Sequence, residues 1–166
     1  MKKICFLCLF IIISTLMIAG CGEITPTDKW IYKKINTDIS NCSIEVDSDN
    51  HGGFHGDGDY FVRAQCQDDF EEIVKNNSLW KKLPLTENLE LIMYGGKKDN
   101  TEYGYELAIK KGIPKIEDGY YLFVDRHSES IDKNSDKELF NRYSFNFTIA
   151  LFDNNTNIFY YYEFDT

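Results

Sequence analysis

His51, His55, Asp57 and Asp59 fall within one glycine-rich run, Asp49-Asn-His-Gly-Gly-Phe-His-Gly-Asp-Gly-Asp59. Imidazoles and carboxylates together suit zinc, manganese or iron, and glycines let a backbone fold until such side chains converge. In a metal centre of this kind, one histidine and one or two carboxylates would hold the ion. A water bound to it would then become the nucleophile of a hydrolase. Two plainer readings compete: a turn whose His and Asp side chains bond their own backbone, and a nest of backbone N–H groups for a carboxylate or phosphate. The acidic neighbours count against the nest.

Known motifs do not decide among them. Asp47-Ser-Asp49-Asn-His51-Gly52 opens like a calcium-binding loop, but His51 stands where an oxygen ligand belongs and Gly58 where the bidentate glutamate belongs. The His-x3-His spacing also lacks the glutamate of helical zinc proteases. His-Gly-Gly-Phe-His-Gly-Asp-Gly resembles strings found in bacterial exported proteins, a likeness that implies no particular activity. Asp125-Arg126-His127 could bring a third imidazole to the loop, although a solvated strand end is the simpler reading. Tyr160, Tyr161 and Tyr162 offer stacking surface for a sugar, but alternation turns two of them inward, leaving Tyr161 and Phe159 outward. Beyond residue 21 there is no phosphate-binding glycine-lysine loop, no Gly-x-Ser-x-Gly elbow and no Cys-x2-Cys pair. With 27 acids in the chain, some pair of carboxylates always lies at glycosidase spacing, so acid count carries no information about that chemistry.

The elements that must hold the loop are hairpins. Cys42 to Asp47 and Phe61 to Cys66 alternate apolar and polar residues, the period of half-buried strands. Pairing them about Phe54 sets Val46 opposite Val62, Ile44 opposite Ala64, Cys42 opposite Cys66 and Glu45 opposite Arg63. One register thus predicts an apolar face, a charge pair and a Cys42–Cys66 disulfide. At the C-terminus, Tyr143 to Leu151 alternates and Ile158 to Phe164 follows. A two-residue turn at Asn154-Asn155 would set Leu151 opposite Ile158 and Ile149 opposite Tyr160. Asp68 or Asp69 should cap a helix whose apolar face is Phe70, Ile73 and Val74. Leu89 to Tyr94, Tyr103 to Ile109 and Tyr120 to Asp125 read as further strands, and Ser135 to Asn141 as a helical turn or two. The order predicts one α+β domain, residues 29–166, with a mainly antiparallel sheet and one or two short helices.

The N-terminus carries a different kind of information. Lys2 and Lys3 head an apolar stretch, Ile4 to Ile18, too short for a spanning helix of about 20 residues. It closes on Ile18-Ala19-Gly20-Cys21, which resembles the lipobox of bacterial lipoprotein signal peptides. That resemblance covers the first 21 residues. It implies removal of residues 1–20, a diacylglyceryl thioether on Cys21, acylation of the new N-terminus and an extracytoplasmic, membrane-anchored domain. Gly22 stands where an inner-membrane retention aspartate would. Residues Gly22 to Asp28 read as a tether reaching roughly 25 Å when extended.

Of the five cysteines, Cys5 and Cys8 would leave with the signal and Cys21 would carry lipid, so Cys42 and Cys66 remain to pair, as exported domains favour. Losing residues 1–20 also removes two lysines and no acids, taking the net charge from −9 to −11. Such a balance opposes nucleic acid and anionic lipid headgroups. It suits a basic protein or cationic ligand, and it specifies no oligomeric state. The expected function is a non-enzymatic, lipid-anchored binding or accessory domain. The alternatives are a metal-binding protein or metal-dependent hydrolase built on the His51–Asp59 loop, and an inhibitor or immunity protein for a basic toxin or enzyme.

Overall fold

The computed structural model describes residues 26–52 and 56–166. The lysine-headed apolar stretch, Cys21 and His55 lie outside the described residues. Among the described residues no helix is long and apolar enough to cross a membrane.

Among the described residues the strands are β1 (Ser43–Asp49), β2 (Gly58–Gln65), β3 (Lys81–Lys82), β4 (Gly96–Lys98), β5 (Thr101–Tyr103), β6 (Gly119–Asp125), β7 (Asn146–Asp153) and β8 (Ile158–Asp165). The helices are α1 (Pro26–Ile35), α2 (Phe70–Asn76), α3 (Glu87–Tyr94) and α4 (Leu107–Lys110). Six strands form one antiparallel sheet in the order β1-β2-β8-β7-β6-β3, and β4-β5 form a separate ribbon. The domain is α+β, as expected.

The sheet is buried on both faces, which alternation alone did not anticipate. Phe159, Tyr160, Tyr161 and Tyr162 are all nearly inaccessible, so Tyr161 and Phe159 do not face outward. One core packs Tyr160, Tyr162, Phe147 and Ile149 against Leu89, Ile92 and Met93 of α3 and Leu107 of α4. The other packs Tyr161, Phe159, Phe152 and Ala150 against Ile31 and Ile35 of α1 and Phe70 and Val74 of α2. Phe70 meets the Phe152 and Phe159 rings edge-on, with centroids 5.0 and 5.7 Å away. That geometry places positive ring edges on negative ring faces.

Several local expectations change. Leu89 to Tyr94 is helical because Leu89, Ile92 and Met93 share one face at i, i+3 and i+4, and Thr86 Oγ1 caps the helix by accepting from Leu89 N at 3.4 Å. Tyr103 to Ile109 is not one strand: β5 stops at Tyr103, Glu106 takes a left-handed backbone (φ 52°), and α4 follows. Ser135 to Asn141 contains turns with N–H to C=O bonds from Leu139 to Asp136 and from Asn141 to Glu138, and no helix. Pro26 to Asp28, expected in the tether, instead begin α1, which buries Asp28. Proline suits a helix start, where its missing N–H would have no partner.

Both hairpin registers are nearly right. Ser43 faces Gln65, Ile44 faces Ala64, and Cys42 and Cys66 form the expected disulfide. A bulge at Glu45 then moves Val46 opposite Arg63 and Asp47 opposite Val62, leaving Val46 exposed. Glu45 still pairs with Arg63, at 2.5 Å. In the C-terminal hairpin the register slides by two: Leu151 faces Tyr160 and Ile149 faces Tyr162. A four-residue turn replaces the expected two-residue one. Asp153 organises it, accepting from Asn155 N at 2.9 Å and Thr156 Oγ1 at 2.8 Å, while Asn157 takes φ 54°. A slip of two keeps every side chain on its expected face.

The disulfide closes a loop of 24 residues around the edge strand β1. Its reduction should lower the unfolding free energy by about 3 kcal/mol, the scale for a loop of this length. Denaturation with and without reductant measures the loss, and peptide mapping that found Cys42 and Cys66 as free thiols would contradict the pairing.

Candidate functional site

The β1–β2 connection continues the ladder past both strands, with Asn50 N bonded to Asp59 O at 2.8 Å and Gly52 N to Asp57 O at 3.0 Å. Gly58 makes this closure possible. A Cβ there would lie 2.5 Å from Asn50 O and from His51 Cα, and its φ is +150°. The tight base aims His51 across to the end of β8. Its Nδ1 lies 2.7 Å from Asp49 Oδ1, and its Nε2 lies 3.0 Å from Asp165 Oδ2.

Asp165 is in turn held by Arg126, whose NH2 donates to Oδ2 at 2.9 Å, and by Asn146 Nδ2, which donates to Oδ1 at 3.0 Å. Arg126 also donates to Thr148 Oγ1 and to Phe147 O, both at 3.0 Å, and lies 3.5 Å from Glu163 Oε2. Glu163 accepts from Trp30 Nε1 at 3.2 Å and from the Tyr161 hydroxyl. A continuous polar chain therefore runs from Asp49 through His51, Asp165, Arg126 and Glu163 to Trp30 on α1.

Electrostatics follow from this order. Partial burial of His51 opposes its charged form, but its bonds to Asp49 and then Asp165 outweigh that and raise its pKa above 6.5. Burial likewise opposes ionisation of Asp165, yet Arg126, Asn146 and His51 bring its pKa below the ordinary 3.8. The His51 backbone N–H, followed by its ring, lowers Asp49. The two carboxylates thus favour the charged form of the imidazole between them.

Of the loop residues singled out by spacing, His51, Asp57 and Asp59 do not gather. Asp57 is exposed, joined to Gly52 through backbone, and Asp59 turns to Lys111 Nζ at 2.5 Å, with Asn50 Nδ2 at 3.0 Å and the Tyr162 hydroxyl at 3.4 Å. Both nitrogens of His51 are engaged by carboxylates. Among the described residues no three His, Cys, Asp or Glu side chains are grouped so as to hold a metal ion. From the Asp125-Arg126-His127 run, Arg126 reaches the loop and His127 does not. His127 is buried, accepting from Glu129 N at its Nδ1 and lying 3.2 Å from Ser144 Oγ through its Nε2. Sequence reasoning missed Asp165 as the partner of His51, and Arg126, Glu163 and Trp30 as the groups that continue the chain.

The polar chain separates two open cavities. The first, of about 460 Å³, lies between α1 and β1, and Trp30, Tyr60, Asp47, Asp49, His51 and Glu163 bound it. The second, of about 530 Å³, is bounded by Gly56, Asp57, Arg126, Ser144, Asn146 and Asp165. In the first, burial pushes the Tyr60 phenol up to about 12, so it remains a neutral hydroxyl. Asp47 meets hydroxyls, accepting from Thr27 Oγ1 at 2.5 Å, and among the described residues it makes no ion pair. Lys34 Nζ sits 4.3 Å from the centre of the Trp30 ring, so this indole already receives one cation. Compared with known protein families, with curated proteins and with solved structures, the chain finds no match.

The His51 cluster has a defined pH signature. A raised histidine pKa stabilises the fold fully below about 6.5 and loses that contribution as pH rises through the folded value; the depressed Asp165 contributes above about 3.8 and loses it as pH falls. The stability gap between the unmodified chain and His51→Gln should therefore peak between those limits. An NMR titration should place the His51 pKa above 6.5 and show it falling in Asp165→Asn. An ordinary His51 titration, unaffected by that substitution, would rule the coupling out.

Proposed function

We propose that this chain is a lipid-anchored, extracytoplasmic binding domain that captures a cationic group of a basic partner protein in the cleft between α1 and β1. The observation that carries the reading is Asp47: a carboxylate without a cation, at the mouth of a cleft walled by Trp30 and Tyr60. Asp49 beside it is 64% exposed at its side chain. Carboxylates next to aromatic faces suit an ammonium or guanidinium group, which gains Coulombic and cation–π attraction together.

Catalysis has less support in this cleft. His51 is flanked by carboxylates on both nitrogens, a placement that favours imidazolium over a free base. The Thr27 hydroxyl donates to the Asp47 carboxylate rather than to an imidazole. A basic toxin or hydrolase neutralised at the envelope is one form the partner could take. The anchor reading rests on Ile18-Ala19-Gly20-Cys21 and on a Cys42–Cys66 disulfide, a bond that accumulates outside reducing compartments.

Two measurements test the two halves separately. Mass spectrometry of the Cys21 peptide from membrane extracts should show a diacylglyceryl adduct, and Cys21→Ala should release the protein from the membrane fraction. A lysine-rich peptide should bind more tightly than its glutamate-rich counterpart, with affinity falling as salt rises. Asp47→Asn should weaken that binding roughly fivefold, the scale of one solvent-exposed charge contact. Equal affinity for both peptides, or an Asp47→Asn variant that binds unchanged, would refute cationic capture.

A further inference from the structure

Helix α1 has an outer face unlike the rest of this acidic chain. Ile31, Ile35 and Asp28 point into the domain, while Lys29, Trp30, Tyr32 and Lys33 are exposed and Lys34 is half-buried. Trp30 is 42% and Tyr32 55% exposed. The one acid in the helix, Asp28, lies on its buried side. Three lysines within six residues, interleaved with two aromatics, thus stand out from a chain of net charge −9.

We propose that this outer face of α1 rests on anionic lipid headgroups of the membrane that holds Cys21. The inference rests on the lipid-anchor reading, and chain length is its first support. From Cys21 to Pro26 is five residue steps, roughly 17 Å at about 3.5 Å each. An anchor at Cys21 therefore keeps the start of α1 at the surface, and contacts too weak to recruit a free protein become effective at such local concentration.

Side-chain chemistry is the second support. Tryptophan and tyrosine are enriched at the headgroup level, and Trp30, its N–H held by Glu163, offers its ring. Lysines beside an anionic surface each contribute roughly a fivefold preference. Exposed acids nearby, Asp38 after the helix and Glu45 and Asp47 on β1, oppose contact along the flanks. They favour a pose in which β1 tilts away and the cleft opens beside the membrane. Because screening confines these forces to about 8 Å at physiological salt, the acidic bulk beyond α1 adds little repulsion.

The chain from Cys21 to Thr166 contains every element of both cores, and with Cys42–Cys66 oxidised Cys21 is its single thiol. It can be coupled to vesicles through a maleimide-headgroup lipid, whatever the cell attaches to Cys21. On phosphatidylcholine vesicles containing phosphatidylglycerol and brominated acyl chains, Trp30 should be quenched. Trp80, buried in the second core, should not be, and serves as an internal reference. Quenching should fall without phosphatidylglycerol, in high salt and in Lys29→Glu/Lys33→Glu. It should persist in Lys97→Glu/Lys110→Glu, a charge-matched change at exposed sites outside α1. No quenching on coupled vesicles, or quenching indifferent to phosphatidylglycerol and to Lys29 and Lys33, would overturn the contact. Cys21 recovered from cells without lipid would instead overturn the anchor reading, so the two failures are separable.

Discussion

Four consecutive residues of the central strand, Phe159 to Tyr162, are large, aromatic and buried. Successive side chains in a strand point to opposite faces, so such a run commits both faces of the sheet to burial. Antiparallel sheets often leave one face to water, but this one cannot. Helices must cover each side: α1 and α2 over Phe159 and Tyr161, α3 and α4 over Tyr160 and Tyr162. The place of α1 follows from this demand, and with it the cleft, because the wall facing β1 is the first turn of a helix docked over Tyr161.

The hairpins were largely legible because their signal is periodic and local. Alternation fixed which face each residue takes, and the opposed cysteines fixed the first register. What alternation could not contain was the bulge at Glu45, which leaves the disulfide and the Glu45–Arg63 pair intact, or the turn chemistry of Asp153 and Asn157. The helices were harder. Leu89 to Tyr94 is an apolar run short enough to be read as a strand, and its helical spacing shows only when Thr86 is taken as a cap. In α1, Ile31 and Ile35 make a stripe of only two among lysines and aromatics, too few positions to mark a helix.

The site was legible in place but not in composition. A long glycine-rich hairpin loop marked the region correctly, since a hairpin needs only a few loop residues. The partner of His51 across the sheet, however, is Asp165, 114 residues away, and Arg126 holds that carboxylate from behind. No spacing rule links those positions; they meet because β2 pairs with β8 and β8 with β7, bringing the loop beside the last residues of the sheet. Asp59 drew attention through its place in that loop, but it is a partly buried carboxylate whose countercharge is Lys111.

Bulk charge is a poor guide to how this surface acts. Around the polar chain, Arg126 faces Asp165 and Glu163, and His51 bridges Asp49 and Asp165, which raise its pKa. Several acids at the site are thus internally compensated, whereas among the described residues Asp47 makes no ion pair. A cation entering the cleft meets the local field of one or two carboxylates, because charges beyond a screening length contribute little. The same physics gives α1 its opposite character: three lysines dominate their own surroundings whatever the chain sums to. Acidic cleft and basic helix face adjoin at Trp30, whose indole N–H is held by Glu163 and whose ring is covered by Lys34. That residue joins two surfaces of opposite preference, so a cation bound in the cleft and a helix face drawn to anions can coexist within one helical turn without either cancelling the other.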